Sequence, residues 1–210
     1  MKIAVVGATG ATGRSVLTHA LARGHFVTAV ARHPERLSPE ERLTLIRGDV
    51  LSPGGLTGAF DDVDAVISCI GPKTNLSPGT LMSVGVAGIL AECKRANVRR
   101  FVMQSGIGLS DGRELSWLNR FVIRASGRVF TAAVADKAAA ERMTQQLDIE
   151  WIIVRPVVLA DKPAKGRYTA DPLARVAPLT PLSFADCADC LIRAATDQPD
   201  WIGKIVNVGS

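Results

Sequence analysis

The stretch VGATGATGRS, Val6 to Ser15, sets three glycines three residues apart at the end of an apolar run. The run before it, KIAVV, is short and rich in β-branched residues, which reads as a strand. The run after it repeats apolar residues at Val16, Leu17, Ala20 and Leu21, which is helical spacing, and it stops at Gly24. A strand that turns through glycines straight into a helix lets backbone pass close to an anion. The first helical turn then offers free N–H groups and a partial positive charge. In that context the pattern points to the pyrophosphate of a dinucleotide. Gly7, Gly10 and Gly13 form the turn, and Thr9, Thr12 and Arg14 add donors beside it.

The rest of the chain repeats the alternation. Strand-like runs occur at HFVTAVA, LTLIRGDV, DAVISCIG, RRFVMQSGIG and EWIIVRP, and KIVNVGS makes a seventh. Helical patterns occupy MSVGVAGILAECKRANV and TAAVADKAAAERMTQQLD, with a short helical stretch at Leu56–Phe60. Another helix covers SFADCADCLIRAA, with Ser183 as its N-cap. Apolar strands separated by helices imply a parallel sheet covered on both faces. The expected fold class is therefore α/β, a Rossmann-like doubly wound parallel sheet with helices on both faces. Its 210 residues suit a single dinucleotide-binding domain, 1–210. Two longer connections, at about 106–130 and 160–182, follow the fifth and sixth strands. They fall at the carboxyl edge, where open α/β sheets bind ligands, and are expected to form the substrate side.

The end of the second strand speaks to which dinucleotide. NAD sites place a carboxylate there for the ribose hydroxyls. This chain reads Ala31-Arg32-His33-Pro34-Glu35-Arg36, with no carboxylate until after a proline. Arg32 stands where the acid is expected, and Arg36 is close behind. A 2′-phosphate is matched by planar charged donors, so the expected cofactor is NADP(H).

Composition narrows the partners. The net charge is +5 and the pI is about 9.3, but the basic residues are scattered, with no dense tract and no interleaved aromatics. A phosphorylated cofactor and a small-molecule acceptor, for which the charge admits an anionic one, account for that charge better than nucleic acid does. No apolar run approaches the ~20 residues of a membrane span, and no secretory leader pattern is read at the start, so the expectation is a cytoplasmic protein without a membrane. Its association state stays open between a monomer and a small homo-oligomer. Cys187 and Cys190 form a C-x-x-C inside a helix with no second ligand pair; they read as two small helix residues and no metal site is expected. Arg120, Arg124 and Arg128 recur at steps of four beside Trp117, Leu118 and Phe121. That stripe reads as a solvated face, with an anion-attracting lid or a partner-facing helix as alternatives.

With its GxxGxxG turn, the chain resembles the atypical short-chain dehydrogenase/reductase group of NAD(P)-binding proteins along essentially its whole length. RGDV, CIGPKTNLSPGTLMSVG, RRFVMQSG and IIVRP extend the likeness, and the second of these resembles the biliverdin-IXβ/flavin reductase branch. The resemblance implies adenine contacts from Asp49 and Val50 and further cofactor contacts from Ile70, Gly71 and Lys73. It puts Met103, Gln104 and Ser105 at the nicotinamide end, with Pro156 and Val157 closing over it.

The chemistry departs from the classical members. They carry a Tyr-x-x-x-Lys pair, in which the lysine lowers the pKa of a phenol one turn away. Here the lysine is Lys137 and the tyrosine position is Ala133. The sole tyrosine, Tyr168, lies far along the chain, and the branch's histidine is replaced by Val157. Ser105 and Lys137 remain as the candidate catalytic residues, Ser105 to orient a carbonyl and Lys137 to bridge the cofactor ribose. Asp136 reads as surface charge. An acceptor that takes its proton from water fits this set. The expected function is an NADPH-dependent reductase passing hydride to a flavin-, quinone- or tetrapyrrole-like acceptor, with a non-catalytic, NADP(H)-binding redox sensor as the alternative.

Overall fold

The computed structural model describes residues 1–72, 79–110 and 131–210. Seven parallel strands form the body of the sheet: β1 (Lys2–Val6), β2 (Phe26–Ala31), β3 (Leu43–Arg47), β4 (Ala65–Ser68), β5 (Arg100–Gln104), β6 (Glu150–Pro156) and β10 (Lys204–Gly209). Their spatial order is β3-β2-β1-β4-β5-β6-β10, and β8 (Thr169–Asp171) pairs antiparallel on the outer edge of β10. All seven runs expected from sequence are strands. The architecture is the expected α/β doubly wound sheet.

Helices α1 (Ala11–Ala22) and α4 (Phe184–Thr196) cover one face. Helices α2 (Leu81–Arg95) and α3 (Thr131–Gln145) cover the other. Successive strand residues point to opposite faces, so both parities must be apolar. In β1, Ile3 and Val5 enter the α1–α4 core, while Ala4 and Val6 enter the α2–α3 core. Helix α1 ends as its sequence suggests. Gly24 takes a φ of +76°, its N–H reaches the Leu21 carbonyl, and the His25 N–H reaches Ala20. That is the Schellman arrangement, which favours glycine. Ser183 caps α4 by accepting from the Asp186 N–H at 2.9 Å.

Two local expectations are corrected. Leu56–Phe60 is not a helix but a series of i→i−3 turns, including Ala59 N–H to Leu56 O. Glycines at 54, 55 and 58 break any longer run. The connection 160–182 carries β8, and its ends pair as β7 (Leu159–Ala160) with β9 (Leu182–Ser183). Asp186 also pins it by accepting from the N–H groups of Lys165 and Gly166. The Arg120/Arg124/Arg128 stripe and Lys73 lie outside the described residues.

The strand order reverses between β1 and β4. Chains leaving β1 and β4 at their carboxyl ends turn to opposite faces, which opens a crevice there. Val6, at the end of β1, pairs with Val30 on one side and Ser68 on the other, so the glycine turn starts at the mouth of that crevice.

Candidate functional site

The glycine turn is held at close range on three sides. Gly7 and Ala8 donate to the Val30 carbonyl, and Gly10 donates to Gly7. Gly7 has a φ of +81°, and a Cβ on it would lie 3.0 Å from the carbonyl of Cys69. At Gly13 a Cβ would lie 2.3 Å from Gly7 O and 2.8 Å from the Ala8 Cα. Helix and turn therefore touch backbone to backbone. Gly10 is the N-cap of α1, without a side-chain cap and with no acid in the first turn. The first-turn N–H groups have no intrahelical acceptor, so they face the crevice mouth as donors for an anion. Thr9 is half-buried at this turn, and Thr12 is buried.

Beside it runs the loop after β2. Arg32 and Arg36 are exposed, and neither guanidinium has an ion-pair partner among the described residues. The loop is fixed by its backbone. Arg47 donates to Arg32 O at 3.0 Å and to the Glu35 carboxylate at 3.1 Å, and His33 meets the other Glu35 oxygen at 3.0 Å. Its own backbone N–H, then His33 and Arg47, hold the Glu35 carboxyl below its usual range. The Arg14 guanidinium donates to Thr9 O and Arg36 O, so two of its five donors go to backbone carbonyls.

On the other flank, Asp49 accepts from the Leu51 N–H at 3.0 Å in a tight turn. Val50 and Ile70 meet over Gly85 of α2, where a Cβ would lie 3.0 Å from the Val50 Cγ2 and 2.9 Å from the Ile70 Cδ1. Together they make a small apolar wall below a carboxylate, suited to a flat heterocycle with an exocyclic amine. Gly71 is exposed beside them, with open space where a Cβ would stand.

The residues expected at the chemical end follow β5. Ser105 is only 9% exposed, yet its Oγ has no hydrogen-bond partner; the Gln104 Oε1 and the Ser68 Oγ are likewise buried without one. Each such group costs roughly 1–3 kcal/mol, so three at neighbouring strand ends mark a place kept polar for a ligand. Lys137 reaches the same corner. Its Nζ lies 3.9 Å from where a Cβ on Gly106 would stand, and it makes no hydrogen bond among the described residues. Burial pushes its pKa below the usual lysine value, while Asp136 and Glu141 pull it up. Glu141 is itself clamped by Arg155 of β6 in a two-pronged ion pair. Ala133, one turn before Lys137, is buried. Tyr168 does not substitute for a phenol there. Its hydroxyl donates to Asp189 of α4 and accepts from Arg193, against the opposite face of the sheet.

Three residues expected at the cofactor have buried side chains. Met103 is fully buried in the α2–α3 core, and its sulfur accepts from the Thr144 hydroxyl. Val157 is 3% exposed and packs against Gly209 and Val176 in the other core. Pro156 is buried as well. The side chains of Met103, Pro156 and Val157 are therefore packed into the protein interior in this structure. Asp136 is not surface charge. It accepts from the N–H groups of Met82 and Ser83 at 2.8 and 2.9 Å, and from the Ser83 hydroxyl, and so caps α2 from α3. This contact had no sequence signal, since α2 has no local side-chain cap to compare it with. Cys187 and Cys190 are buried, unbridged helix residues, the latter pushed up to about 12 by desolvation. Among the described residues no group of three His, Cys, Asp or Glu side chains could hold a metal, and no helix is long and apolar enough to cross a membrane.

Fold and glycine corner together define a dinucleotide-binding protein of the Rossmann class. Residues 7–198 match the NAD(P)H-binding family, and the chain belongs to that family. An uncharacterised chloroplastic protein of Arabidopsis thaliana is 28% identical over 183 residues, which are 81% of this chain and 64% of that protein. The chain thus spans less than two thirds of that relative's length. Among solved structures, a short-chain dehydrogenase/reductase of Veillonella parvula in complex with NADP superimposes with a TM-score of 0.80 at 20% identity, covering 100% of this chain and 94% of that one. An anaerobilin reductase of Escherichia coli O157:H7 gives 0.80 at 22% identity, covering 100% and 97%. At these identities the two structures attest the fold.

Proposed function

We propose that the chain is an NADPH-dependent reductase that passes hydride to a planar conjugated acceptor of the flavin, quinone or tetrapyrrole kind. One observation carries this reading: the buried, unpartnered Ser105 hydroxyl and the unbonded Lys137 ammonium share one corner with Ala133 in place of a phenol. Among the described residues that corner offers a hydrogen-bond donor and a cation, and neither a phenol nor an imidazole. A conjugated acceptor needs only the first two, because its proton can come from water.

In this reading the first-turn N–H groups of α1 take the pyrophosphate, and Arg32 and Arg36 take the 2′-phosphate. Asp49, Val50 and Ile70 receive the adenine. Lys137 bridges the nicotinamide ribose, and Ser105 orients the acceptor carbonyl. NADPH supplies the hydride when bound, the protein supplies orientation, and water supplies the proton. The likeness to an anaerobilin reductase supports a tetrapyrrole as one arm of the acceptor class.

Ala133 also favours a second reading, a redox sensor that binds NADP(H) without turnover. The test is NADPH oxidation by purified protein with FMN, riboflavin, a small quinone and a linear tetrapyrrole, with NADH as the control. Turnover with one acceptor establishes the reductase and its acceptor class. NADPH binding with no turnover across the panel favours the sensor.

A further inference from the structure

Arg14 follows the third glycine and, by sequence, belongs with the phosphate donors. Its geometry serves a different purpose. Nε donates to Thr9 O at 3.1 Å, inside the glycine turn. Nη2 donates to Arg36 O at 3.0 Å, in the loop after β2. No carboxylate pairs with it among the described residues. The two segments it joins carry different parts of the proposed cofactor site: the turn faces the pyrophosphate, and the loop carries Arg32 and Arg36 for the 2′-phosphate.

Resting on the reading of this edge as an NADPH site, we propose that Arg14 is a positioning residue that fixes the spacing between the two anion subsites, and thereby the preference for NADPH over NADH. A guanidinium is planar and its donors diverge at fixed angles, so two bonds from it set both distance and direction. Elsewhere the loop has its own anchors: Arg47 donates to Arg32 O, and Pro34 and, beside Arg36 itself, Leu37 are buried, so that Arg14 holds the Arg36 carbonyl and not the whole loop. Removing Arg14 therefore loosens the end that carries Arg36 without unfolding the loop. NADH has no 2′-phosphate and does not draw on that spacing. A lysine keeps the charge, but its three donors share one freely rotating nitrogen, so it does not fix distance and direction between two carbonyls as a planar guanidinium does.

The experiment is titration of the wild type, Arg14→Lys, Arg14→Ala and Arg14→Gln with NADPH, NADH, 2′,5′-ADP and 5′-AMP. All three variants are expected to bind NADPH and 2′,5′-ADP about tenfold more weakly, with NADH and 5′-AMP changed by less than about twofold. Arg14→Lys at wild-type NADPH affinity overturns the inference, because charge alone then suffices. Equal losses for NADPH and NADH overturn it too, because Arg14 then serves the glycine turn. Wild-type protein that binds none of the four ligands, or prefers NADH, overturns the cofactor reading itself and this inference with it.

Discussion

Gly13→Ala adds one methyl group at the tightest point of the structure's glycine corner. The new carbon would stand 2.3 Å from Gly7 O, 2.8 Å from the Ala8 Cα and 3.0 Å from the Ala8 carbonyl carbon. All three neighbours are backbone, so no side chain can rotate away. Restoring ordinary contact takes roughly 1 Å of movement between α1 and the turn. Overpacking of this kind costs about 1–3 kcal/mol, and the rigid neighbours put it at the upper end. Alanine in a helix returns about 1 kcal/mol, so a net loss of about 2 kcal/mol is expected. The same 1 Å displaces the first-turn N–H groups from the turn, and misplacement on that scale weakens function by about a hundredfold. Two neighbouring glycines give an internal scale. A Cβ at Gly10 would lie 3.3 Å from Gly7 O, and one at Gly71 would meet nothing within 4 Å. Urea unfolding and NADPH titration should therefore rank the alanine variants in the order Gly13, Gly10, Gly71, from severe to neutral. Wild-type stability and affinity in Gly13→Ala, or Gly71→Ala as the worst of the three, would refute the steric argument.

Arg32→Ala should weaken NADPH binding by about tenfold or more while leaving NADH nearly unchanged; equal losses remove Arg32 from the 2′-phosphate. Ser105→Ala should lower turnover by about tenfold or more at nearly unchanged NADPH affinity, and a full-speed variant reduces Ser105 to a loop residue. Lys137→Met reports on pH. The folded protein holds the Lys137 pKa below the ordinary lysine value of 10.5, so between the folded pKa and 10.5 the unfolded chain binds more protons and wild-type stability rises with pH. That rise should vanish from the Lys137→Met curve in alkaline urea unfolding, and parallel curves would show that the ammonium is not desolvated.

Much of this was readable from sequence, because seven strands, each flanked by turn residues, form the sheet and the glycines precede a helix that has its own stop signal. Other features depend on contacts between distant segments. The pairing of Leu159 with Leu182 involves two-residue strands too short to show any period. Met103 and Gln104 lie in RRFVMQSG, a strand apolar on both parities, so the pattern cannot say which side chain faces the crevice. The fold assigns Met103 to the core beneath α3. Arg14 looks like a phosphate ligand in a linear reading, because the carbonyl it meets at Arg36 lies 22 positions away.

The cap that Asp136 places on α2 has a consequence for the order of folding. It joins residues 54 and 53 positions apart, and the N-cap residue Thr80 makes no side-chain cap of its own. During synthesis α2 emerges with its first N–H groups unsatisfied, and they stay so until α3 has been made and has docked. The first turn of α2 is therefore not a local structure. It closes as a late, long-range event, and the helix that carries Gly85 and the apolar wall of Val50 and Ile70 acquires its start only when the helix that carries Lys137 is in place.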